Sequence, residues 1–110
     1  MTIEDKIRVR HMIDACEELL SFAEGKSRKD FDTDRMLILS IIKDIEIIGE
    51  AANKVSEETK LNYPDIPWAE IIGMRNRLIH SYFDVDTEIV WTSVTNDVPE
   101  LLSLLRNLSN

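Results

Sequence analysis

Ile3, Ile7, Met12, Cys16, Leu19, Leu20 and Ala23 recur at three- and four-residue steps, the spacing of one helix face, and predict a first helix over residues 2–24. Thr2 stands where a cap belongs, Glu4 and Asp5 fill the opening turn where the helix dipole favours negative charge, and Gly25 supplies a stop. A longer second helix is predicted from Asp34 to Lys60, ended by Asn62 and Pro64. Its first half is not a single stripe. Met36, Leu37, Ile38, Leu39, Ile41, Ile42, Ile45, Ile47 and Ile48 wrap most of the circumference, more apolar surface than a small bundle readily buries, so a second copy of the chain is expected to cover the excess. Lys43, Glu46, Glu50 and Asn53 run through this region as one polar stripe, either solvated or, at its Glu46 and Glu50 end, lining a cleft.

Pro67 suits the first position of a third helix, because its missing N–H has no helical partner there; Trp68, Ile71, Ile72, Met74, Leu78 and Ile79 give that helix a buried side as far as Ser81. Asp86 caps a fourth, carrying Ile89, Val90, Val94, Val98, Leu101, Leu102, Leu104, Leu105 and Leu108, with a kink or break expected near Asp97 to Pro99. No useful period-two segment occurs. The predicted fold is all-α, a bundle of four to five helices in a single domain over residues 1–110.

Composition narrows the class further. Three Gly, three Pro and no linker-like tract predict a compact chain. The longest apolar run, Met36 to Ile42, contains Ser40 and falls far short of the ~20 residues a membrane span requires, and the first residues lack the pattern of a signal peptide. The chain is expected to be soluble and cytoplasmic. Cys16 falls on the apolar face of the first helix and is expected to be a small core residue; Trp68 and Trp91 are expected to pack, and His11 to be solvated. The charged segment Lys26-Ser27-Arg28-Lys29 is expected to be a solvated loop. A net charge of −8 argues against an extended nucleic-acid-binding face, though not against a short, focused cleft.

One window departs from this acidity. From Ile71 to Phe83 there is no Asp or Glu, and Arg75-Asn76-Arg77-Leu78-Ile79-His80-Ser81-Tyr82 joins fixed positive charge, an imidazole and a phenol. Arginine presents a planar fork of donors that suits phosphate, and histidine exchanges protons near neutrality. Together they point to phosphodiester chemistry. On an ideal helix Arg75 and His80 point about 140° apart. Arginine's long stem, a distortion at the helix end, or a second subunit must therefore bring them to one phosphate. Two scattered histidines, one cysteine and surface carboxylates give no recognisable metal-ligand set, and no glycine-rich phosphate loop or nucleophile triad is present, so no cofactor or metal is expected.

The pattern Arg-x-x-x-x-His-x-Tyr, with Asn directly after the Arg, resembles the signature of the HEPN superfamily and more narrowly that of HepT-like toxins. Ile45-Glu46-Ile47-Ile48-Gly49-Glu50-Ala51-Ala52 resembles the family's second-helix block, and Tyr82-Phe83-Asp84-Val85-Asp86 with Ile89-Val90-Trp91 resembles its tail. The resemblance implies a metal-independent endoribonuclease toxin of a type VII toxin–antitoxin pair, with its cleft at a two-fold homodimer interface. Its partner would be a minimal nucleotidyltransferase antitoxin (MntA-like) that silences it by adding AMP to Tyr82.

RNA suits such a site because its 2′-hydroxyl is an internal nucleophile. His80 is assigned to proton transfer and Arg75 to the scissile phosphate; Asn76 would orient His80 or the substrate, Arg77 is a candidate second cation, and Glu46 and Glu50 are candidate supporting residues. A competing expectation is a non-catalytic helical subunit that holds a nucleotide or a nucleotidyltransferase partner.

Overall fold

The computed structural model describes residues 1–81 and 84–109, the side chains of His80, Ser81 and Ser109 excepted. Helix α1 (Ile3–Ala23) begins as expected, with the Thr2 hydroxyl accepting from the Asp5 N–H at 3.0 Å. It ends ahead of Gly25, whose φ of 75° is the left-handed conformation that glycine adopts without a steric penalty. The basic segment that follows is not a loop throughout. Ser27 and Asp30 form a reciprocal capping box that starts a short helix α2 (Arg28–Thr33), because each side chain satisfies the other residue's otherwise orphaned N–H.

Helix α3 (Arg35–Lys54) starts at the Asp34 cap and carries the long apolar run. Leu37, Ile38, Ile41, Ile42, Ile45 and Ile48 are all buried within the single chain, against Met12, Cys16 and Leu19 of α1 and Leu78 from the third long helix. The unburied apolar surface is therefore smaller than the sequence pattern predicts. It consists mainly of Met36, 81% exposed, and Leu39, 36% exposed.

The predicted helix to Lys60 breaks after Lys54. Val55 is extended, and Ser56 caps a separate helix α4 (Glu57–Asn62). The cause lies 51 positions earlier in the chain. Asp5, buried in the first turn of α1, accepts from the Ser56 N–H at 3.0 Å, the Ser56 hydroxyl at 2.6 Å and the Thr59 hydroxyl at 2.6 Å. These bonds hold the Asp5 carboxyl below its usual range, Ser56 contributing most and Thr59 next. A carboxylate depressed in the folded state stabilises it above the unfolded pKa of about 3.9, and that contribution fades as pH falls below this value towards the folded one. Asp5→Ala leaves the Ser56 and Thr59 donors without their acceptor and should cost about 2–4 kcal/mol in urea denaturation at pH 7, the difference from wild type shrinking below pH 4.

Helix α5 (Trp68–Leu78) follows, with Pro67 at the cap position and the Trp68 indole N–H donating to the Tyr63 carbonyl at 3.1 Å. It stops three residues earlier than predicted. Ile79 adopts extended backbone (φ −127°, ψ 117°) and enters a strand β1 (Ile79–Ser81) paired antiparallel with β2 (Asp84–Val85), Ile79 opposite Val85. The Asp86 N–H closes the pair on the Leu78 carbonyl at 2.8 Å, and the Asp86 side chain caps helix α6 (Thr87–Thr92). This small pairing is a second departure from helix that the sequence pattern misses, after the break at Val55.

The start of α6 is tied to α2 through Asp32, which accepts from the Thr87 hydroxyl at 2.5 Å and from Arg28 at 2.9 Å. The anticipated disturbance at Pro99 is a π-helical turn, Ser93–Asp97, before helix α7 (Val98–Ser109). There the Val98 N–H reaches back to Ser93, so the extra residue is absorbed just ahead of the proline that cannot donate.

The layers are simple. Helix α1 packs along α3 on one side and α7 on the other, and α5 covers the opposite flank of α3. Cys16 is fully buried, and its thiol is pushed up to about 12, chiefly by burial. Trp91 meets Phe31 edge-to-face at 5.0 Å, and His11 is exposed, all as the sequence suggested. Asp44 is out of pattern: it is 2% exposed, and burial, then its hydrogen bond to Glu18 and the charge there, raises it to about 7. No helix among the described residues is long and apolar enough to cross a membrane.

Candidate functional site

Gly49 decides how α3 meets α5. A Cβ at that position would lie 3.3 Å from the Ile71 carbonyl oxygen, tighter than ordinary contact, so the missing side chain lets the two backbones approach. Around this crossing Ile45, Ile71 and Ile72 form apolar walls, and Glu46, Glu50, Asn53 and Arg75 stand at the rim of a cavity of about 250 Å³. The Glu46 and Glu50 end of the polar stripe therefore lines a cleft, and Asn53 extends it by one turn. Lys43, at the other end, is exposed.

The Arg75 Nε–H donates to Glu46 Oε1 at 2.8 Å, across 29 positions of sequence. The glutamate side chain is the more enclosed partner, 17% exposed against 40% for the arginine. In such a half-open setting an ion pair adds little stability; what it fixes is the direction of the guanidinium. The window that is acid-free in sequence is thus closed in space by carboxylates from α3. The result is a positive group bordered by acceptors, suited to a ligand that carries both an anionic part and hydrogen-bond donors.

The end of α5 alters the geometry expected between Arg75 and His80. Because the helix stops at Leu78, the two residues do not lie on one continuous helix, and the ideal 140° separation does not apply. The backbone between them is distorted at the helix end, where helix gives way to strand after Leu78. By the same token, Asn76 and His80 are not one helical turn apart. Asn76 is exposed on α5.

Arg77 faces elsewhere. It lines a different cavity, among Asp65, Glu70, Asp97 and Glu100 between α5 and the start of α7, and donates to the Glu70 carbonyl at 3.4 Å. Within one chain it does not join Arg75. His80 is placed by its backbone in β1, its side chain lying outside the description, and Tyr82 falls outside the described residues altogether. Among the described residues, no three His, Cys, Asp or Glu side chains gather as a metal-ligand group.

Sequence reasoning passed over Gly49, Ile71, Ile72 and Asn53 as parts of one site. The available signal was Gly49 between Glu46 and Asn53, a small residue on the polar side of an otherwise bulky helix.

Comparison with known proteins adds an independent line. The family model described as "HepT-like: Ribonuclease HepT-like" matches residues 12–108. A protein of Caldanaerobacter subterraneus named "Putative RNase" is 38% identical over 93 residues, covering 84% of this chain and 83% of the relative. A Methanocaldococcus jannaschii protein of the same description is 31% identical, over 82% of this chain and 83% of its own. A Thermococcus cleftensis protein named "Probable ribonuclease HepT" is 38% identical over 80% of each chain. No solved structure matches the chain.

Proposed function

Since the chain belongs to the HepT-like ribonuclease family, we propose that it is a metal-independent endoribonuclease in which Arg75 binds the scissile phosphate and His80 moves the proton. The observation that carries this reading is the Arg75–Glu46 pair at 2.8 Å on the rim of a cavity, on the helix that runs directly into the strand bearing His80. The 2′-hydroxyl of RNA attacks the adjacent phosphorus, the bond to the 5′-oxygen of the next nucleotide breaks, and a 2′,3′-cyclic phosphate is left. Histidine accepts the hydroxyl proton or protonates the leaving oxygen, and arginine stabilises charge on the phosphoryl oxygens.

Glu46 acts by holding the guanidinium. Asn76 and Arg77 are assigned supporting roles. For Arg77, which lies away from Arg75 in its own chain, that role is at a cleft shared with a second copy. Such a two-fold homodimer draws on the exposed Met36 and Leu39 and is checked by light scattering at micromolar concentration.

In the cell the protein acts as the cytoplasmic toxin of a toxin–antitoxin pair, its partner a minimal nucleotidyltransferase that transfers AMP to Tyr82. The experiment that tests the activity is cleavage of single-stranded RNA by purified, unmodified protein with and without EDTA. Equal rates are expected. A reaction stopped by chelation would overturn the metal-independent step, and no cleavage at all would favour a non-catalytic helical subunit of a nucleotidyltransferase complex.

A further inference from the structure

Two groups on the rim of the α3–α5 cavity take no part in holding Arg75. Glu50 is exposed and makes no hydrogen bond or ion pair among the described residues, and Asn53 stands three residues on, one helical turn away on the same face. Between them and the arginine lie the apolar walls of Ile45, Ile71 and Ile72. A cavity of about 250 Å³ is smaller than the roughly 300–1,000 Å³ of whole small-molecule sites, which suits one flat base and not an entire nucleotide.

Charge alone makes this an odd lining for a polyanion. It suits the edge of a base. An ionised carboxylate offers acceptors only, whereas an asparagine amide offers both a donor and an acceptor. Single-stranded RNA is read along the Watson–Crick edges of unstacked bases, and guanine alone carries two adjacent donors there, N1–H and N2–H, beside the O6 acceptor. Adenine and cytosine each place a ring-nitrogen acceptor next to their amino group, and uracil flanks its N3–H with two carbonyls. Each of those three would set a lone pair against the carboxylate.

We infer that this cavity is a guanine-selective subsite beside the scissile phosphate, with the Glu50 carboxylate accepting from N1–H and N2–H and the Asn53 amide donating to O6. The isoleucines contact the ring faces, and Arg75 at the rim takes the phosphate joined to the same nucleoside. The identity of the ligand as RNA rests on the ribonuclease reading above; the base selectivity rests on the cavity.

The test has a binding arm and a cleavage arm. Wild-type protein is titrated with uncleavable 2′-O-methyl tetranucleotides differing at one base, and its cleavage of an RNA containing all sixteen dinucleotide steps is mapped. Guanine should exceed the other three bases by roughly tenfold to a hundredfold in both arms, with inosine, which lacks N2–H, in between. Glu50→Gln should lower the guanine-to-adenine ratio at least tenfold, and Asn53→Ala should lower it as well.

Equal use of the four bases, preference for a base other than guanine, or a guanine preference untouched by both substitutions would overturn the subsite. Guanine-selective binding without cleavage of any RNA would uphold the subsite and remove the ribonuclease reading. Cleavage without base preference would do the reverse.

Discussion

His80→Ala should lower kcat/KM for RNA cleavage by about 10²–10⁴-fold, and Arg75→Ala by about 10²–10³-fold, with helical content unchanged in both. The two losses have different origins and leave different traces. Removing the imidazole would remove the proposed proton carrier of the transition state, so the loss should fall on kcat. Removing the guanidinium removes a contact that binds phosphate in the ground state and strengthens as charge builds, so KM rises as well as kcat falling.

The fold should tolerate both changes. Arg75 is 40% exposed, and Arg75→Ala leaves intact the core beneath it, built from Ile45, Ile71, Met74 and Leu78. Glu46→Gln provides the companion measurement. It keeps an acceptor for the Arg75 Nε–H while losing the charge, so a defect much smaller than that of Arg75→Ala is expected if Glu46 only directs the guanidinium. Wild-type activity in His80→Ala would remove the assigned proton carrier.

The second large effect concerns control of the enzyme. Tyr82→Phe should still cleave RNA but escape neutralisation by a cognate nucleotidyltransferase. The phenol oxygen would attack the α-phosphorus of ATP, forming a phenolic phosphodiester and expelling pyrophosphate while its proton passes to a base. The phenylalanine ring keeps the shape and lacks that oxygen. Because Tyr82 stands two residues from His80 in sequence, each added AMP would bring a bulky nucleotide and a negative charge close to the proposed proton carrier and so oppose binding of the RNA phosphate. Intact-mass spectrometry after incubation with the transferase and ATP should show AMP units on wild type and none on the variant. Equal labelling of the two would put the acceptor elsewhere.

The helices legible in sequence are those whose starts and faces are set locally. Thr2, Asp34 and Asp86 cap α1, α3 and α6 with bonds to residues three positions on, and the apolar spacing of α7 needs no knowledge of the rest of the chain; the face of α1 was legible only from Met12 onward, since Ile3 and Ile7 are exposed while Val9 and Ile13 are buried. Pro99 forecast its own disturbance because the missing N–H is a property of that residue. What local pattern could not give were features fixed across long separations. The break at Ser56 depends on Asp5, and the early end of α5 depends on Ile79 finding Val85 and on Asp86 closing on Leu78.

The site divides in the same way. The roles proposed for Arg75 and His80 rest on residue type and spacing and on the family-like blocks around them; what the structure adds is the Arg75–Glu46 pair and the helix end between the two. The sequence left open whether the polar stripe is solvated or lines a cleft at its Glu46 and Glu50 end; the cavity decides it, because it exists only where Gly49 lets α3 approach the Ile71 carbonyl. Likewise, Arg77 looks equivalent to Arg75 in sequence. Two residues further along α5 is more than half a turn of helix, enough to point it at a different cavity.

The central claim is that the 2′-hydroxyl of the substrate is the nucleophile, with this chain supplying a phosphate clamp and a proton carrier. The most direct measurement is mass spectrometry of the RNA ends produced by purified, unmodified protein in EDTA. Internal attack predicts a 2′,3′-cyclic phosphate on the upstream fragment and a free 5′-hydroxyl on the downstream one, with no cut where the scissile nucleotide is 2′-deoxy. A 5′-phosphate paired with a 3′-hydroxyl, or continued cutting beside a 2′-deoxynucleotide, would contradict it.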